Sequence, residues 1–379
     1  MVRKVKLKDV VMRVKDKIDK DTTDLEFYVG GEHIDSGEIS ITKKGRIEGS
    51  TIGPAFHMHF MPGDVLLMSR NPHLKKAGVV DFEGICSDVS YICRTKDENV
   101  LSQQYLPFIF QTDHFWQFVE ENKKGGLPFF LNWSDFEKYE FMLPNIDKQN
   151  EMANILWAAQ NTKLAYIELL NQTDELVKSR FIELFGNPMT NDKHWPTKKM
   201  KDVAPPSPYA GEISKNANGY WLLNLDMVES NSGRIIEKVY VAEDEIGQST
   251  TTFSSQYVLY SKLRPYLNKV VVPDGDGYAT TELIPLLPNQ QLLTQLYLAQ
   301  LLRGDEFLTY ISTQVSGTKM PRVTMNVFWE FDVMLPPLEL QEQFADFVKQ
   351  VDKSKFEIKK SIENISELIK SLMQQDFTN

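Results

Sequence analysis

The stretch "FMLPNIDKQNEMA" at Phe141–Ala153 is repeated in altered form as "VMLPPLELQEQFA" at Val333–Ala345, 192 positions later. Self-similarity at a fixed interval indicates a duplicated structural unit. With the chain shifted by 192, residues 103–179 align with residues 295–371 without a gap and share 17 identities in 77 positions. We interpret the chain as a tandem repeat.

The two copies also resemble each other upstream of this block, where the alignment needs small gaps. "KLKDV" (6–10) resembles "KMKDV" (199–203), and "LLMSR" (66–70) resembles "VLYSK" (258–262). Each copy therefore has a long mixed segment before its repeated phrase.

Short alternating runs broken by Gly, Pro and Asn are typical of strands and turns. They predict strands at Val65–Met68, Ile85–Cys93, Tyr257–Tyr260 and Lys269–Val272. Longer apolar patterns predict helices over Leu101–Val119 and Leu292–Ile311.

Each copy closes with a long helical pattern whose apolar positions are spaced alternately by four and three. This heptad spacing is typical of coiled coils. The positions of the predicted helix-pair seam are Leu156, Lys163, Leu170, Val177, Val348, Lys355, Ile358, Ile362, Ile365 and Ile369. A lysine interrupts both helices at equivalent places, and a polar residue there commonly fixes register or orientation.

Proline and glycine mark the limits of these helices. Pro144 and Pro336 stand just before them, where proline is well tolerated, and Gly186 with Pro188 ends the first one. Two related helices in one chain can bury their seams on each other, which predicts an antiparallel, pseudo-two-fold pair. The alternatives are that each helix packs on its own domain, or that the helices form a parallel coiled coil between chains.

The predicted fold class is therefore α/β (α+β), with two similar globular modules joined by two long antiparallel coiled-coil helices. The predicted modules are residues 1–143 and 187–335, and the predicted helices are residues 144–186 and 336–379.

Length and composition limit the class of protein. A chain of 379 residues is long enough for two or three domains with their own cores. The net charge of −10 argues against a uniformly basic surface but allows a local basic face. The N-terminus is too charged for a signal peptide, and the longest uncharged run, 283–302, contains two prolines. We expect a cytoplasmic protein without a membrane span.

The two cysteines, Cys86 and Cys93, are seven positions apart. If that run is one strand, the odd spacing places them on opposite faces, so we expect no disulfide between them. Unpaired cysteines fit a reducing compartment.

Two similar modules, each followed by a long helix after "LP", resemble the specificity (S) subunit of type I restriction-modification systems. The most family-like stretches are "FMLPNIDKQNEMANIL" (141–156), "LVKSRFIELFGNPMTNDKHWPTKKMKDV" (176–203) and "SGTKMPRVTMNVFWEFDVMLPPLELQEQFADFV" (316–348). The resemblance covers essentially the whole chain. It implies that each module is a target recognition domain for one half of a split double-stranded DNA sequence.

The resemblance also implies partners. The two helices would form the spacer and dock two methyltransferase (M) subunits, and restriction (R) subunits would join the larger complex. Two rigidly held readers gain effective concentration for the second contact, and a pseudo-two-fold axis presents similar faces to two copies of one partner. The expected function is DNA recognition within such a complex. The alternative is a duplicated protein-binding scaffold or adaptor without DNA specificity.

Basic loops follow predicted strands at equivalent places of the two modules. Basic side chains contact phosphates, and Arg, Lys, Asn and Gln can read base edges. The Gly125–Pro128 loop also corresponds to the Gly317–Arg322 loop. The candidate DNA contacts are Lys43, Lys44, Arg46, Arg70, Lys75, Lys76, Lys262, Arg264, Lys269, Lys319 and Arg322. For each of them, an ordinary solvated surface charge is the alternative.

No catalytic pattern accompanies these features. A DNA methyltransferase would need a glycine-rich loop for S-adenosylmethionine and an Asn/Asp-Pro-Pro-aromatic tetrad, which "NPHL" (71–74) and "APPSPY" (204–209) do not supply. His57 and His59 would share a face of a strand, but no third metal ligand follows at convincing spacing. We expect a non-catalytic subunit without cofactor or metal.

Overall fold

The computed structural model describes residues 2–317 and 319–377, so the outermost residues of the predicted end segments and Thr318 of the Gly317–Arg322 loop lie outside it. The chain forms two compact units. The first unit runs to Tyr166 and includes the residues from Lys360 on, and the second unit is Ile167–Lys359. These limits differ from the predicted domains, because each long helix contributes one half to each unit.

The strands of the first unit, β1 to β10 in chain order, are Arg3–Lys6, Val11–Val14, Phe27–Val29, Gly45–Arg46, Phe56–Phe60, Val65–Met68, Ala77–Val79, Gly84–Ser87, Ser90–Thr95 and Glu140–Leu143. Its short helices, α1 to α4, are Leu7–Val10, Leu106–Ile109, Asp113–Asn122 and Trp133–Phe136. The first long helix, α5, is Ile146–Phe185.

Two four-stranded sheets form the first unit, in the orders β2-β9-β6-β7 and β4-β3-β8-β5. In the second of these sheets β3 runs parallel to β8. The N-terminal strand β1 pairs antiparallel with β10, directly before the long helix.

The strands of the second unit, β11 to β22, are Thr197–Lys199, Lys215–Asn216, Gly219–Leu223, Val239–Val241, Thr250–Phe253, Val258–Ser261, Val270–Val271, Gly277–Thr280, Leu283–Leu286, Val315–Ser316, Arg322–Val323 and Asp332–Met334. Its helices, α6 to α10, are Met200–Val203, Gln295–Arg303, Asp305–Ser312, Met325–Trp329 and Leu338–Phe377.

The second unit repeats most of the topology of the first, with one strand fewer in one sheet and one strand more in the other. One sheet has the order β17-β16-β19, and the other has the order β12-β13-β18-β15 with β14 on β13. The pair β13 and β18 is parallel, as β3 and β8 are. Strand β11 pairs with β22 directly before the second long helix.

A glycine begins the second strand of each parallel pair, Gly84 in β8 and Gly277 in β18. A Cβ on Gly84 would lie 2.6 Å from the backbone oxygen of Phe27, and one on Gly277 would lie 2.7 Å from the backbone oxygen of Trp221. Both distances are shorter than any ordinary carbon–oxygen contact, so the close approach of these strands requires glycine.

Each unit buries one sheet on both faces. In the first unit Leu66 and Ile92 pack between the two sheets, whereas Val65 and Leu67 face the helices. In the second unit Leu259 faces the other sheet and Val258 faces the helices. Alternate side chains of a strand point to opposite faces, which explains why β6 is apolar at every position.

Several sequence-based predictions need correction. Ile85–Cys93 is two strands, β8 and β9, which belong to different sheets. Cys86 and Cys93 are both buried and free, so the argument from opposite faces of one strand does not apply. Burial raises the pKa of the Cys86 thiol to about 12.

The predicted helices over Leu101–Val119 and Leu292–Ile311 are also divided. The first becomes α2 and α3, because Thr112 leaves the helical conformation and its hydroxyl accepts a hydrogen bond from Phe115 N, 3.2 Å away, which caps a new helix. The second becomes α7 and α8, which Gly304 separates.

The repeated phrase of the sequence marks the attachment of each long helix. The Gln149 side chain is fully buried, accepts a hydrogen bond from Ser102 N and donates to the carbonyls of Val100 and Pro144. The equivalent Gln341 accepts from Thr294 N and donates to the carbonyls of Leu292 and Pro336. One glutamine thus fixes the first turn of each helix to its module.

Within each unit, the beginning of one long helix meets the end of the other. In the first unit Leu156 of α5 belongs to an apolar cluster against which Ile369 of α10 packs. In the second unit Val177 and Phe181 of α5 share a cluster with Val348 of α10, and the Phe181 and Phe344 rings are 5.6 Å apart. The helix starts also pack on their own modules, so both kinds of contact occur.

The remaining apolar residues of the predicted seam differ in burial. Ile358 is buried, whereas Leu170, Ile362 and Ile365 are half-buried. None of the helices in the described part of the chain combines the length and the apolar character that crossing a membrane would require.

Candidate nucleic-acid interface

Each unit carries one short turn of the same unusual shape directly after an apolar strand. The turn is a single 3₁₀ helix, Pro72–Leu74 in the first unit and Pro265–Leu267 in the second. In both cases proline is the first residue and is buried, which anchors the turn. Both turns lie between two residues with left-handed backbone conformation.

The four left-handed residues are equivalent in pairs. Asn71 and Lys75 flank the first turn with φ of 50° and 49°, and Arg264 and Asn268 flank the second with φ of 50° and 48°. Asparagine tolerates this conformation better than other residues with a side chain, whereas lysine and arginine rarely adopt it.

A hairpin with a left-handed glycine is hydrogen-bonded to each turn. In the first unit Asn71 N donates to Phe129 O at 2.8 Å, and Leu131 N donates to Ser69 O at 2.8 Å. In the second unit Arg264 N donates to Pro321 O at 2.7 Å. Gly125 and Gly317 follow the first strand residues of the two hairpins, with φ of 85° and 87°. We call each combination of turn and hairpin a turn–hairpin surface, defined by residues 70–76 with 124–131 and by residues 262–269 with 315–323.

The cations of the first turn–hairpin surface differ in their partners. Arg70 and Lys75 are exposed, and their side chains form neither a hydrogen bond nor an ion pair with the described residues. Lys76 instead donates to the backbone oxygen of Gly31 at 2.5 Å. Lys124, which the sequence did not single out, pairs with Asp135 at 2.6 Å.

The cations of the second turn–hairpin surface also fall into those with and those without a side-chain partner. Arg264 and Lys319 are exposed, Lys262 is half-buried, and none of the three has a side-chain partner in the described part of the chain. Lys269 donates to the backbone oxygen of Leu225 at 2.7 Å, as Lys76 does to Gly31. Arg322 pairs with Glu282 at 3.0 Å.

The three candidates at 43–46 lie outside these surfaces and have partners within their unit. Lys43 pairs with Asp35 at 2.7 Å and Arg46 with Glu26 at 2.7 Å. The Lys44 ammonium lies 3.8 Å from the centre of the Phe27 ring, a cation–π geometry.

Exposed apolar and aromatic side chains at the turn–hairpin surfaces were missed by sequence reasoning that looked for charge. Leu127 at the tip of the first hairpin is 86% exposed, and Phe130 on the same hairpin is 41% exposed. In the second unit Tyr266 of the turn is 55% exposed. His73 occupies the same place in the first turn. An apolar residue beside glycine and proline in a predicted loop was the signal that could have found them.

The histidine pair of β5 does not form a metal site. His59 Nδ1 lies 2.7 Å from Asp16 Oδ2, and its Nε2 lies 2.8 Å from Glu83 Oε1. Burial alone would lower the pKa of His59, but the two carboxylates outweigh it and raise that pKa. No group of three or more potential ligands able to hold a metal ion occurs among the residues that the structure describes.

Comparison with known proteins points to one family. A family model for the type I restriction modification DNA specificity domain matches residues 193–367. The chain is 26% identical over 147 residues to the specificity subunit of the type I restriction enzyme EcoDI of Escherichia coli, covering 39% of this chain and 32% of that subunit. It is 29% identical over 102 residues to the MjaVIII specificity subunit of Methanocaldococcus jannaschii, covering 27% of this chain and 24% of the relative.

The chain thus aligns with about a third or less of the length of these curated relatives. A solved structure of the S subunit of a type I restriction-modification system from M. genitalium superimposes with a TM-score of 0.56 and 13% identity. That alignment covers 100% of this chain and 96% of the other. At this identity, the likeness concerns the fold.

Proposed function

We propose that this chain is a member of the family of type I restriction-modification specificity proteins, to which it is similar, and that it recognises a split double-stranded DNA sequence, one half with each unit. The observation that carries this proposal is the presence of two equivalent turn–hairpin surfaces with exposed cations that lack a partner in the described chain. Such cations are available to phosphates and base edges.

Charge distribution supports the assignment. The whole chain carries a net charge of −10, so unspecific attraction to DNA is weak and local cations have to provide the contact. Within the candidate set we favour Arg70, Lys75, Lys262, Arg264 and Lys319. Lys76 and Lys269 are poor candidates, because backbone carbonyls already occupy their ammonium groups. The ion-paired Lys43, Arg46 and Arg322 would first have to leave a carboxylate.

We further propose that residues 144–186 and 336–379 act as an antiparallel coiled-coil spacer between recognition modules 1–143 and 187–335. Each long helix has 40 residues, which corresponds to about 60 Å at ~1.5 Å per residue. That length is between one and two turns of DNA at ~34 Å per turn. The apolar clusters that Leu156 and Val177 share with residues of the other helix support this role.

The proposed partners are two methyltransferase subunits and restriction subunits, with the chain acting in the cytoplasm. In this assignment the chain is not an enzyme and holds no cofactor. The methyltransferases would bind S-adenosylmethionine, extrude the target base and transfer the methyl group.

The test is selection from a pool of random DNA duplexes by the full-length chain, followed by sequencing of the bound fraction. We expect two conserved blocks separated by a constant number of unspecified base pairs. Binding should weaken at least about tenfold between 50 and 200 mM salt, because bound phosphates release counterions. Absence of any enriched sequence would favour a protein-binding scaffold. Methyl transfer by the chain alone would contradict the non-catalytic assignment.

A further inference from the structure

Left-handed backbone conformation is concentrated at the two 3₁₀ turns. Two of the residues concerned are asparagines, Asn71 and Asn268, for which this conformation is common. The other two, Lys75 and Arg264, have φ of 49° and 50°, and long side chains adopt such values at a cost in free energy. Strain of this kind persists where the displayed side chain has a use.

The cation and the asparagine occupy opposite ends of the two turns. Directly before the proline of the turn, the first unit has Asn71 and the second unit has Arg264. Directly after the 3₁₀ helix, the first unit has Lys75 and the second unit has Asn268. Each unit therefore shows which uncharged residue the fold accepts at the position where the other unit carries a cation.

Neither cation has a role in holding the turn. Lys75 and Arg264 are exposed and form no side-chain hydrogen bond or ion pair with residues 2–317 or 319–377. By contrast, Asn268 is buried, and its Nδ2 donates to Arg303 O at 2.8 Å. The buried prolines and the hairpin hydrogen bonds fix the turn without either cation.

We propose that Lys75 and Arg264 are the residues that select a base in their respective half-sites, each reading a guanine edge in the major groove. This inference rests on the proposed function and narrows it to two residues. Guanine presents two acceptors, N7 and O6, to arginine or lysine. Because the cations stand at opposite ends of equivalent turns, the two units select their guanine at different positions of the half-site.

The two units supply the substitutions for the test. Arg264→Asn installs the residue of the first unit, and Lys75→Asn installs that of the second. Both remove strain, so the Tm of each variant should equal or exceed that of the wild type. The matched control is His194→Asn, which replaces another exposed left-handed residue (φ of 55°) outside the turn–hairpin surfaces.

The full-length wild type and each variant are used to select from the same pool of random DNA duplexes. Arg264→Asn is expected to lose the preference for one guanine in one block by about 10- to 100-fold, with the other block unchanged. Lys75→Asn should affect only the other block. His194→Asn should select the wild-type sequence.

A further variant, Arg264→Lys, separates charge from base reading. It keeps the positive charge but replaces the planar fork with a single ammonium group, so binding to random duplex should remain. The guanine preference should fall, but by less than in Arg264→Asn, because lysine can also donate to guanine. If the wild type selects a split sequence and the Asn variants select the same one unchanged, the inference is wrong and the proposed function stands. If the wild type selects no sequence, the proposed function fails and this inference with it. A lower Tm in the Asn variants would contradict the strain argument.

Discussion

The two units attach their long helices with the same hydrogen bonds but use the lysine in the middle of each helix differently. Gln149 and Gln341 both bind one backbone N–H and two backbone carbonyls. Lys163 pairs with Glu38 of its own module at 2.8 Å, whereas the equivalent Lys355 pairs with Asp174 of the other long helix.

This difference distinguishes contacts with the backbone, which the fold itself maintains, from contacts with side chains, which substitutions can change. The glutamine bonds end on backbone groups, which keep their positions as long as the duplicated fold is kept. The lysine bonds end on carboxylates, and carboxylates can move to another element while the modules diverge. We therefore expect the glutamine contacts to contribute more to stability than the lysine pairs do.

The largest effect is expected for Gln149→Leu and Gln341→Leu. Each substitution leaves one buried N–H and two carbonyls without their partner, at a cost of about 3 kcal/mol in free energy of unfolding. Urea denaturation measures this cost, and faster hydrogen exchange at Ser102 N or Thr294 N localises it. The control is Gln172→Leu, because the Gln172 side chain is exposed and, among the residues that the structure describes, bonds only Glu168. Equal stability of control and test variants would contradict the argument.

A smaller effect is expected for the lysine pairs. Double-mutant cycles on Lys163 with Glu38 and on Lys355 with Asp174 should each give a coupling energy of about 1 kcal/mol. The carboxylates are partly exposed, at 41% and 49% of their side-chain surface, so added salt should reduce both couplings. A coupling below experimental error for Lys355 would mean that its partner is not Asp174 in solution.

The sequence predicts which residues of the two units are equivalent, but it does not predict their bonding partners. The interval of 192 residues is enough to pair Gln149 with Gln341 and Lys163 with Lys355. It does not show which atoms they bind, because Ser102 and Glu38 come close only after the chain has folded. The resemblance to specificity subunits agrees with the family model that matches residues 193–367 and with the two curated relatives.

The candidate site shows the same limit. Sequence reasoning placed basic loops at equivalent positions, but it could not separate Lys75 from Lys76. That separation depends on a left-handed residue, which turns the Lys75 side chain outward while Lys76 reaches the carbonyl of Gly31. Division of the predicted helix over Leu101–Val119 was missed for a similar reason, because the cap at Thr112 interrupts an apolar pattern that continues beyond it.

The smallest effect is expected at an acidic residue that occupies the same place in both units but binds different partners. The acids before the equivalent Gly84 and Gly277 are Glu83 and Asp276. Glu83 binds His59 at 2.8 Å, and the same ring binds Asp16. Asp276 instead accepts hydrogen bonds from the backbone N–H and, at 3.0 Å, the hydroxyl of Ser214. Only the contact of the first unit contains a group that titrates near neutral pH.

The pKa of His59 is raised above its ordinary value of 6.5 in the folded chain, so its stabilising contribution is complete below pH 6.5 and is lost as the pH rises through the folded-state pKa. Since both carboxylates are largely exposed, the contribution should stay below about 1 kcal/mol. Urea denaturation of the wild type and His59→Gln should therefore show a difference at pH 6 that shrinks by pH 9. The effect of Ser214→Ala should stay constant over the same range. A pKa of His59 at or below 6.5, measured by NMR titration, would contradict this prediction.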